Sequence, residues 1–230
     1  MNGLGRSVSW HIRNATLAIA IFIYITFDVL HSGPLTEIDA TIARWNRPEL
    51  PNWADWVIYN LDHLGLRGLT ALFLLSLSVY LGRKFKTWRP FNLSVVSLLA
   101  LNLVVGLAKL EFGRTKPKLQ IDLLDAGGMS YPSGHASNAI LTWGLFAYLA
   151  IKYSAPSRFR TYLATWSVAA VTALVLLISL FRNTHWLSDL IGGVSIGTGL
   201  LLLIVAIDRL VSSSRIGADL AQIKSGTAND

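Results

Sequence analysis

The sequence predicts an all-α, polytopic membrane protein with six transmembrane helices. Of its 230 residues, 53% are hydrophobic and only 14% are charged, whereas soluble globular domains carry about 25% charged residues. The apolar residues are concentrated in long uncharged runs, which need an apolar environment such as a lipid bilayer. Cysteine is absent, so disulfides, thiolate metal sites and cysteine nucleophiles are excluded.

Six uncharged stretches are candidates for membrane-spanning helices, because crossing the hydrocarbon core takes about 20 residues. Three of them are long enough alone, and the others extend into flanks whose aromatic and basic side chains are stable at a membrane interface. The first stretch follows Arg6 and Arg13 as a signal peptide would, but no small-residue cleavage site follows it, so we expect an uncleaved helix. In chain order the stretches are 14–27, 68–82, 90–108, 136–151, 161–181 and 190–207.

The predicted domain organisation is a single transmembrane domain over residues 1–211. Between its first and second helices, residues 32–66 contain three tryptophans and apolar residues at near-helical spacing. This pattern predicts interfacial helices on the outer face that act as a lid or a packing element. Residues 212–230 are polar and rich in Gly, Ala and Ser, which predicts a flexible cytoplasmic tail.

The distribution of charge predicts the orientation of the helices. The formal net charge is +7, which in a soluble protein would raise the question of nucleic-acid binding. If the helices alternate in direction, one side of the membrane carries twelve basic and three acidic residues, and the other carries eight and ten. The positive-inside rule then puts both termini in the cytoplasm. Most of the positive charge is thus an orientation signal, and we expect no nucleic-acid partner.

Three polar clusters fall on the outer face of this predicted topology. Ionisable groups at membrane depth are costly and usually mark function. The first cluster ends the third helix, the second opens the fourth helix, and the third joins the fifth helix to the sixth. The clusters are residues 109–118, 131–137 and 182–189.

The first two clusters predict a phosphate site. Ser133 is a good helix N-cap, and Gly134 allows close approach of the backbone. A helix start presents free N–H groups and the positive end of the helix dipole to an anion. Lys109, Arg114 and Lys116 add three positive charges of the kind that hold phosphoryl groups.

The third cluster supplies a candidate nucleophile. His185 and Asp189 are four residues apart, so on a helix the carboxylate can accept a hydrogen bond from one ring nitrogen. The other nitrogen is then unprotonated and can act as a nucleophile or base. His135 supplies a second imidazole, which is suited to protonating a leaving group.

These clusters resemble the three signature motifs of the type 2 phosphatidic acid phosphatase superfamily, in the same order and at similar intervals. The resemblance implies that His185 attacks phosphorus to form a phosphohistidine, that Asp189 orients it, and that His135 protonates the leaving group. It also implies that neither a metal nor another cofactor is required. The matching residues are Lys109 and Lys116-Pro117, Pro132-Ser133-Gly134-His135, and His185 with Asp189; the implied phosphate ligands are Lys109, Lys116, Ser133 and Gly134.

Two positions depart from the family pattern. The first motif of the family ends in Arg-Pro, whereas this chain has Lys116, which keeps the charge but lacks the bidentate fork. The third motif of the family has an arginine six residues before its histidine, whereas this chain has Ser179. Arg182, one helical turn before His185, is the candidate substitute. Together with Arg114 it completes the predicted phosphate-binding set.

The predicted function is an integral membrane lipid phosphatase that acts on a lipid phosphomonoester or diphosphate at the extracytoplasmic face. Candidate substrates are polyprenyl diphosphate, phosphatidylglycerophosphate, phosphatidic acid and a phosphorylated glycolipid. One alternative is a phosphotransferase that uses an acceptor other than water. Less favoured are a zinc-dependent hydrolase, because cations crowd the site, and a transporter, because the clusters lie at one end of the helices rather than at the midplane.

Overall fold

The computed structural model describes residues 3–226 and is helical throughout that range, with no strand. The predicted all-α class is thereby confirmed. Short 3₁₀ turns occur at His63–Gly65 and Pro117–Leu119, and a π-helical turn occurs at Ala139–Trp143. The α-helices are α1 (Gly3–Leu30), α2 (Pro34–Ala43), α3 (Asn52–Asp62), α4 (Arg67–Lys84), α5 (Arg89–Phe112), α6 (Gly134–Asn138), α7 (Gly144–Lys152), α8 (Arg158–Phe181) and α9 (Leu187–Gly226).

Several helices within the described range can cross a membrane. By length and apolar composition these are α1, α5, α8 and α9. A fifth candidate is a bent pair, in which the segment Asn52–Gly65 meets α4 at 54°. The predicted fourth stretch is also helical, because α6, the π-helical turn and α7 follow one another without a break. The count of six spans stays a prediction.

The outward faces of the long helices are apolar. Leu103 on α5 is 62% exposed and Leu177 on α8 is 63% exposed, although large apolar side chains are normally removed from water. A lipid bilayer removes them from water without any protein contact. This pattern agrees with a membrane-spanning bundle.

α9 is the central helix of the bundle and packs along α1 and α6. Its glycines permit this close packing. A Cβ atom on Gly193 would lie 2.5 Å from the carbonyl oxygen of Ser133, and one on Gly197 would lie 2.6 Å from that of Ser137. The buried core between α5, the π-helical turn and α9 consists of Leu101, Val105, Leu141 and Ile196.

The helices α2 and α3 occupy the segment 32–66. α2 packs on α9, and α3 packs on α8. The turn between α1 and α2 is closed by a hydrogen bond from the N–H of Leu35 to the carboxylate of Asp28, at 3.1 Å. The segment is therefore attached to the bundle, whereas its location at the membrane interface stays a prediction.

α9 continues as a helix to Gly226, into the segment 212–230 for which composition predicts a flexible tail. This part of the chain contains good helix formers such as Ala, Leu and Lys, so the helix can continue although apolar periodicity is lacking. Residues 227–230 lie outside the described range, and flexibility stays a prediction there.

Asp208 connects three helices at a distance from the polar motifs. It lies roughly 30 Å along α9 from the first residue of that helix, at a rise of about 1.5 Å per residue. Its carboxylate accepts hydrogen bonds from Nε of Arg89 at 2.8 Å and from the hydroxyl of Tyr148 at 2.6 Å, and it forms an ion pair with Lys152. These contacts join α5, α7 and α9.

Candidate active site

The start of α6 is attached to the start of α9. The N–H of Ser133 donates to the carbonyl oxygen of Asp189 at 2.9 Å. The hydroxyl of Ser133 caps α6 by accepting the N–H of Ala136 at 3.3 Å. The second and third sequence motifs, which are far apart along the chain, thus meet at one point of the bundle.

His185 and Asp189 form a hydrogen-bonded pair, with Nδ1 of the imidazole 3.2 Å from Oδ2 of the carboxylate. The same oxygen accepts the N–H of Trp186 at 3.1 Å and the hydroxyl of Ser130. Asp189 is fully buried. Because an ionised carboxylate only accepts hydrogen bonds, Nδ1 carries the proton and Nε2 keeps its lone pair.

Arg114 is fully buried beside this pair and makes five hydrogen bonds. Since a guanidinium has five N–H donors, none is left for phosphate. This arrangement differs from the predicted role of Arg114 as a phosphate ligand, because its guanidinium bonds to the acids and the serine around it. Its partners are Asp122 at 2.8 and 2.6 Å, Asp189 at 2.8 Å, Asp39 at 2.9 Å and Ser188 at 2.7 Å.

Asp39 on α2 is a member of this network that the sequence motifs do not indicate. Its carboxylate accepts both the N–H of Ser188, at 2.9 Å, and the hydroxyl of Ser188. Burial raises the pKa of Asp39 above its ordinary value, against the opposing effects of the Ser188 hydrogen bonds and the charge of Arg114. Asp39 attaches the segment 32–66 to the start of α9.

A pocket of about 270 Å³ borders His185. It brings together five residues of the predicted site, and none of the described residues that line it is acidic. The ring centroids of His135 and His185 lie 6.4 Å apart. The lining residues are Gly65, Leu66, Arg67, Lys109, Lys116, Met129, Gly134, His135 and His185.

Lys109 and Lys116 reach the pocket from the end of α5 and the loop that follows it. Nζ of Lys109 donates to the carbonyl oxygens of Met129 and Ser130. α5 is followed by Gly113, which has a φ of 51°, a left-handed conformation that glycine adopts without a steric penalty. This turn directs the chain back toward the pocket, where the two lysines supply positive charge.

The pocket differs from a zinc site. Among the described residues, no three His, Asp or Glu side chains are grouped in a way that could hold a metal ion, whereas catalytic zinc sites have three protein ligands. The lysines in the same pocket would repel a cation. The chemistry of the lining side chains is that of an anion site.

Arg182 lies outside the pocket, contrary to its predicted role. It follows the last residue of α8, and its Nη1 is 3.9 Å from Oδ2 of Asp62. Its guanidinium also lies 5.2 Å from the ring centroid of Tyr59. Both partners belong to α3, and Arg182 is not among the described residues that line the pocket. Ser179, where the family pattern has an arginine, is buried within α8.

Arg67 is a pocket residue that sequence reasoning missed. It is the first residue of α4 and belongs to none of the three motifs. No local signal identifies it, because an arginine at the start of a membrane-spanning helix is also typical of an interface anchor. Only the packing of α4 against α6 brings it to the site.

Comparison with known proteins agrees with this geometry. Residues 68–211, more than half of the chain, match the family model of the PAP2 superfamily. The chain belongs to this superfamily. It is therefore a phosphatase of the PAP2 kind, a phosphoric ester hydrolase of the membrane. The resemblance inferred from the three motifs is confirmed.

A curated protein and a solved structure from Bacillus subtilis are similar to this PAP2 protein over most of its length. Phosphatidylglycerophosphatase B of strain 168 is 25% identical over 203 residues, which cover 86% of this chain and 97% of that protein. The crystal structure of a transmembrane PAP2-type phosphatidylglycerolphosphate phosphatase matches with a TM-score of 0.73 at 19% identity, covering 84% of this chain and 96% of the other. The shared fold supports a multi-pass membrane protein.

Proposed function

We propose that this PAP2 protein hydrolyses a lipid phosphate through a phosphohistidine at His185. The observation that carries the proposal is the pairing of His185 with Asp189, which frees Nε2 at the border of a pocket. Among the described residues, the lining of this pocket is cationic and contains no acid. Phosphoryl oxygens are negatively charged and are bound by such side chains. The lone pair of Nε2 is the nucleophile next to them.

In the first step, Nε2 of His185 attacks phosphorus, so that a P–N bond forms while the P–O bond to the lipid breaks. His135, as an imidazolium, gives its proton to the departing oxygen. The separation of 6.4 Å between the two ring centroids leaves room for a phosphoryl group between the imidazoles. Lys109 and Lys116 stabilise the charge on the oxygens that are not transferred.

In the second step, water cleaves the P–N bond. His135, now neutral, removes a proton from the water molecule whose oxygen attacks phosphorus. Inorganic phosphate leaves, and His185 returns to its starting state. Asp189 assists both steps because its carboxylate stabilises the positive charge that the imidazole acquires in the phosphohistidine.

Phosphatidylglycerophosphate is the substrate that we put first. The similar Bacillus subtilis protein and the similar Bacillus subtilis structure carry its name, and its terminal phosphomonoester has the charge that the pocket requires. Phosphatidic acid, polyprenyl diphosphate and a phosphorylated glycolipid also present a phosphoryl group on a lipid, and they are the other candidate substrates to be compared. A phosphotransferase would produce a phosphorylated acceptor in place of free phosphate.

The proposed topology has six spans, with both termini in the cytoplasm and the pocket at the extracytoplasmic face. The charge asymmetry of the loops supports this orientation. The sixth span is the continuous helix formed by α6, the π-helical turn and α7, in addition to α1, α4, α5, α8 and α9. The pocket would then open where lipid headgroups of the outer leaflet lie.

The test is release of inorganic phosphate from each of the four lipids by detergent-purified protein, with and without a chelator. We expect release from phosphatidylglycerophosphate at a rate that the chelator does not change, and no release by the His185→Gln variant. Undiminished release by that variant would contradict the phosphohistidine. If the chelator abolishes activity and added zinc restores it, a metal-dependent hydrolase would be favoured.

A further inference from the structure

Arg67 lies directly against the start of α6. Its Nη2 atom is 3.0 Å from the position that a Cβ atom on Gly134 would occupy, and Cε of Lys109 is 3.7 Å from the same point. A guanidinium and an ammonium therefore both approach the helix start at which Ser133 and Gly134 are predicted to bind phosphate. Any larger residue at position 134 would displace them.

The corner of the chain before Arg67 is held in place by buried hydrogen bonds. Nδ2 of Asn138 donates to the carbonyl oxygen of Gly65 at 3.0 Å and to the hydroxyl of Thr70 at 2.6 Å. Nε1 of Trp143 donates to the carbonyl oxygen of Leu64 at 2.9 Å. These contacts fix the end of the 3₁₀ turn and the first turn of α4 against α6 and the π-helical turn, so that the position of Arg67 is determined by the fold.

The guanidinium of Arg67 has no hydrogen-bond acceptor and no carboxylate partner among the described residues. The two arginines that the sequence predicts for phosphate binding are both engaged, Arg114 with buried acids and Arg182 with Asp62. Arg67 shares its pocket with two lysines and no acid. Like charges that share a pocket repel each other, and an anion bound between them would relieve that repulsion.

We propose that Arg67 is the arginine that binds phosphate in this protein. It would replace the arginine that the family pattern has at the position of Ser179. The assignment rests on the proposed function of the pocket as a phosphate site. A guanidinium can bind two phosphate oxygens with parallel N–H donors, which an ammonium cannot do. Arg67 thus supplies the fork that Lys116 lacks.

The test measures the affinity of the full-length, detergent-purified protein for inorganic phosphate, from the rise in melting temperature with phosphate concentration. Arg67→Gln should weaken this affinity by about ten- to a hundredfold, as expected for one charge-assisted contact. Arg67→Lys should weaken it less, because the charge is kept and only the fork is lost. Both variants should melt near the wild-type temperature without phosphate, because Arg67 is exposed and unpaired.

The matched control is Arg158→Gln. Arg158 is also an exposed arginine at the first position of an α-helix, in this case α8. Its replacement should leave both the phosphate affinity and kcat/KM at the wild-type value. Replacing Arg67 should lower kcat/KM for the lipid by a factor similar to the loss of phosphate affinity.

Several outcomes would overturn the assignment. One is that Arg67→Gln binds phosphate with an affinity within about twofold of the wild type. Another is that Arg182→Gln, rather than Arg67→Gln, loses about tenfold in phosphate affinity. Absence of phosphate binding by the wild type would also overturn it. If phosphate binding depends on Arg67 but the wild type hydrolyses none of the four lipids, the assignment stands and the proposed hydrolase function fails.

Discussion

Arg114 and His185 are linked through one carboxylate. Nη1 of Arg114 donates to Oδ1 of Asp189 at 2.8 Å, while Nδ1 of His185 lies 3.2 Å from Oδ2. Residues on the Arg114 side of this carboxylate hold the imidazole, and residues on the pocket side are the ones proposed to contact the substrate. The two groups should give different effects when they are mutated.

Replacing Asp189 by Asn should lower kcat by about 10²- to 10⁴-fold, because the amide can present an N–H to Nδ1 and favour the wrong tautomer of His185. The measurement is phosphate release at saturating lipid. Asp125→Asn is the control, since Asp125 is exposed and asparagine tolerates its φ of 54°. Equal rates for the two variants would contradict an orienting role for Asp189.

Replacing Arg114 by Lys should lower the free energy of unfolding by about 1.5–3 kcal/mol, because three donors replace five in a buried network. Phosphate affinity of the folded protein should stay unchanged. Thermal unfolding with and without phosphate measures both quantities, and Lys118→Gln, an exposed cation of the same loop, is the control. If Arg114→Lys kept the wild-type melting temperature but lost phosphate affinity, Arg114 would have to be a phosphate ligand after all.

Replacing Gly193 by Ala should reduce stability by about 1–3 kcal/mol through overpacking, since the new Cβ would meet the carbonyl oxygen of Ser133. Activity should fall as well, because the start of α6 shifts relative to α9. Gly106→Ala, in the interior of α5 with open space around it, should instead stabilise by up to about 1 kcal/mol. Similar melting temperatures for both variants would show that the close contact is unimportant.

The absence of cysteine allows the proposed topology to be tested with single introduced thiols. In intact cells, a membrane-impermeant maleimide should label Asn46→Cys in the linker between α2 and α3. It should label Ser154→Cys, between α7 and α8, only after the membrane is permeabilised. Both positions are exposed. The reverse pattern would invert the orientation, and labelling of both thiols in intact cells would exclude the six-span arrangement.

The helices and the two histidines were predictable because they depend on local patterns, namely uncharged runs and short motif spacings. The environment of the arginines was not predictable. Arg114 at a membrane boundary has the same local sequence whether it meets phosphate or carboxylates, and its partner Asp39 is 75 residues away. Arg67 reaches the pocket only because α4 packs on α6. The residues next to Arg67 in the sequence do not reveal that packing.

The buried network around Arg114 has an electrical consequence for His185. One guanidinium faces three carboxylates, those of Asp39, Asp122 and Asp189, whereas the described residues that line the pocket include an arginine and two lysines but no acid. The imidazole therefore lies between a negative interior and a positive substrate chamber. A field in that direction pushes electron density through the ring toward Nε2. In the proposed mechanism, this would make His185 a stronger nucleophile on the side where the lysines neutralise the phosphate.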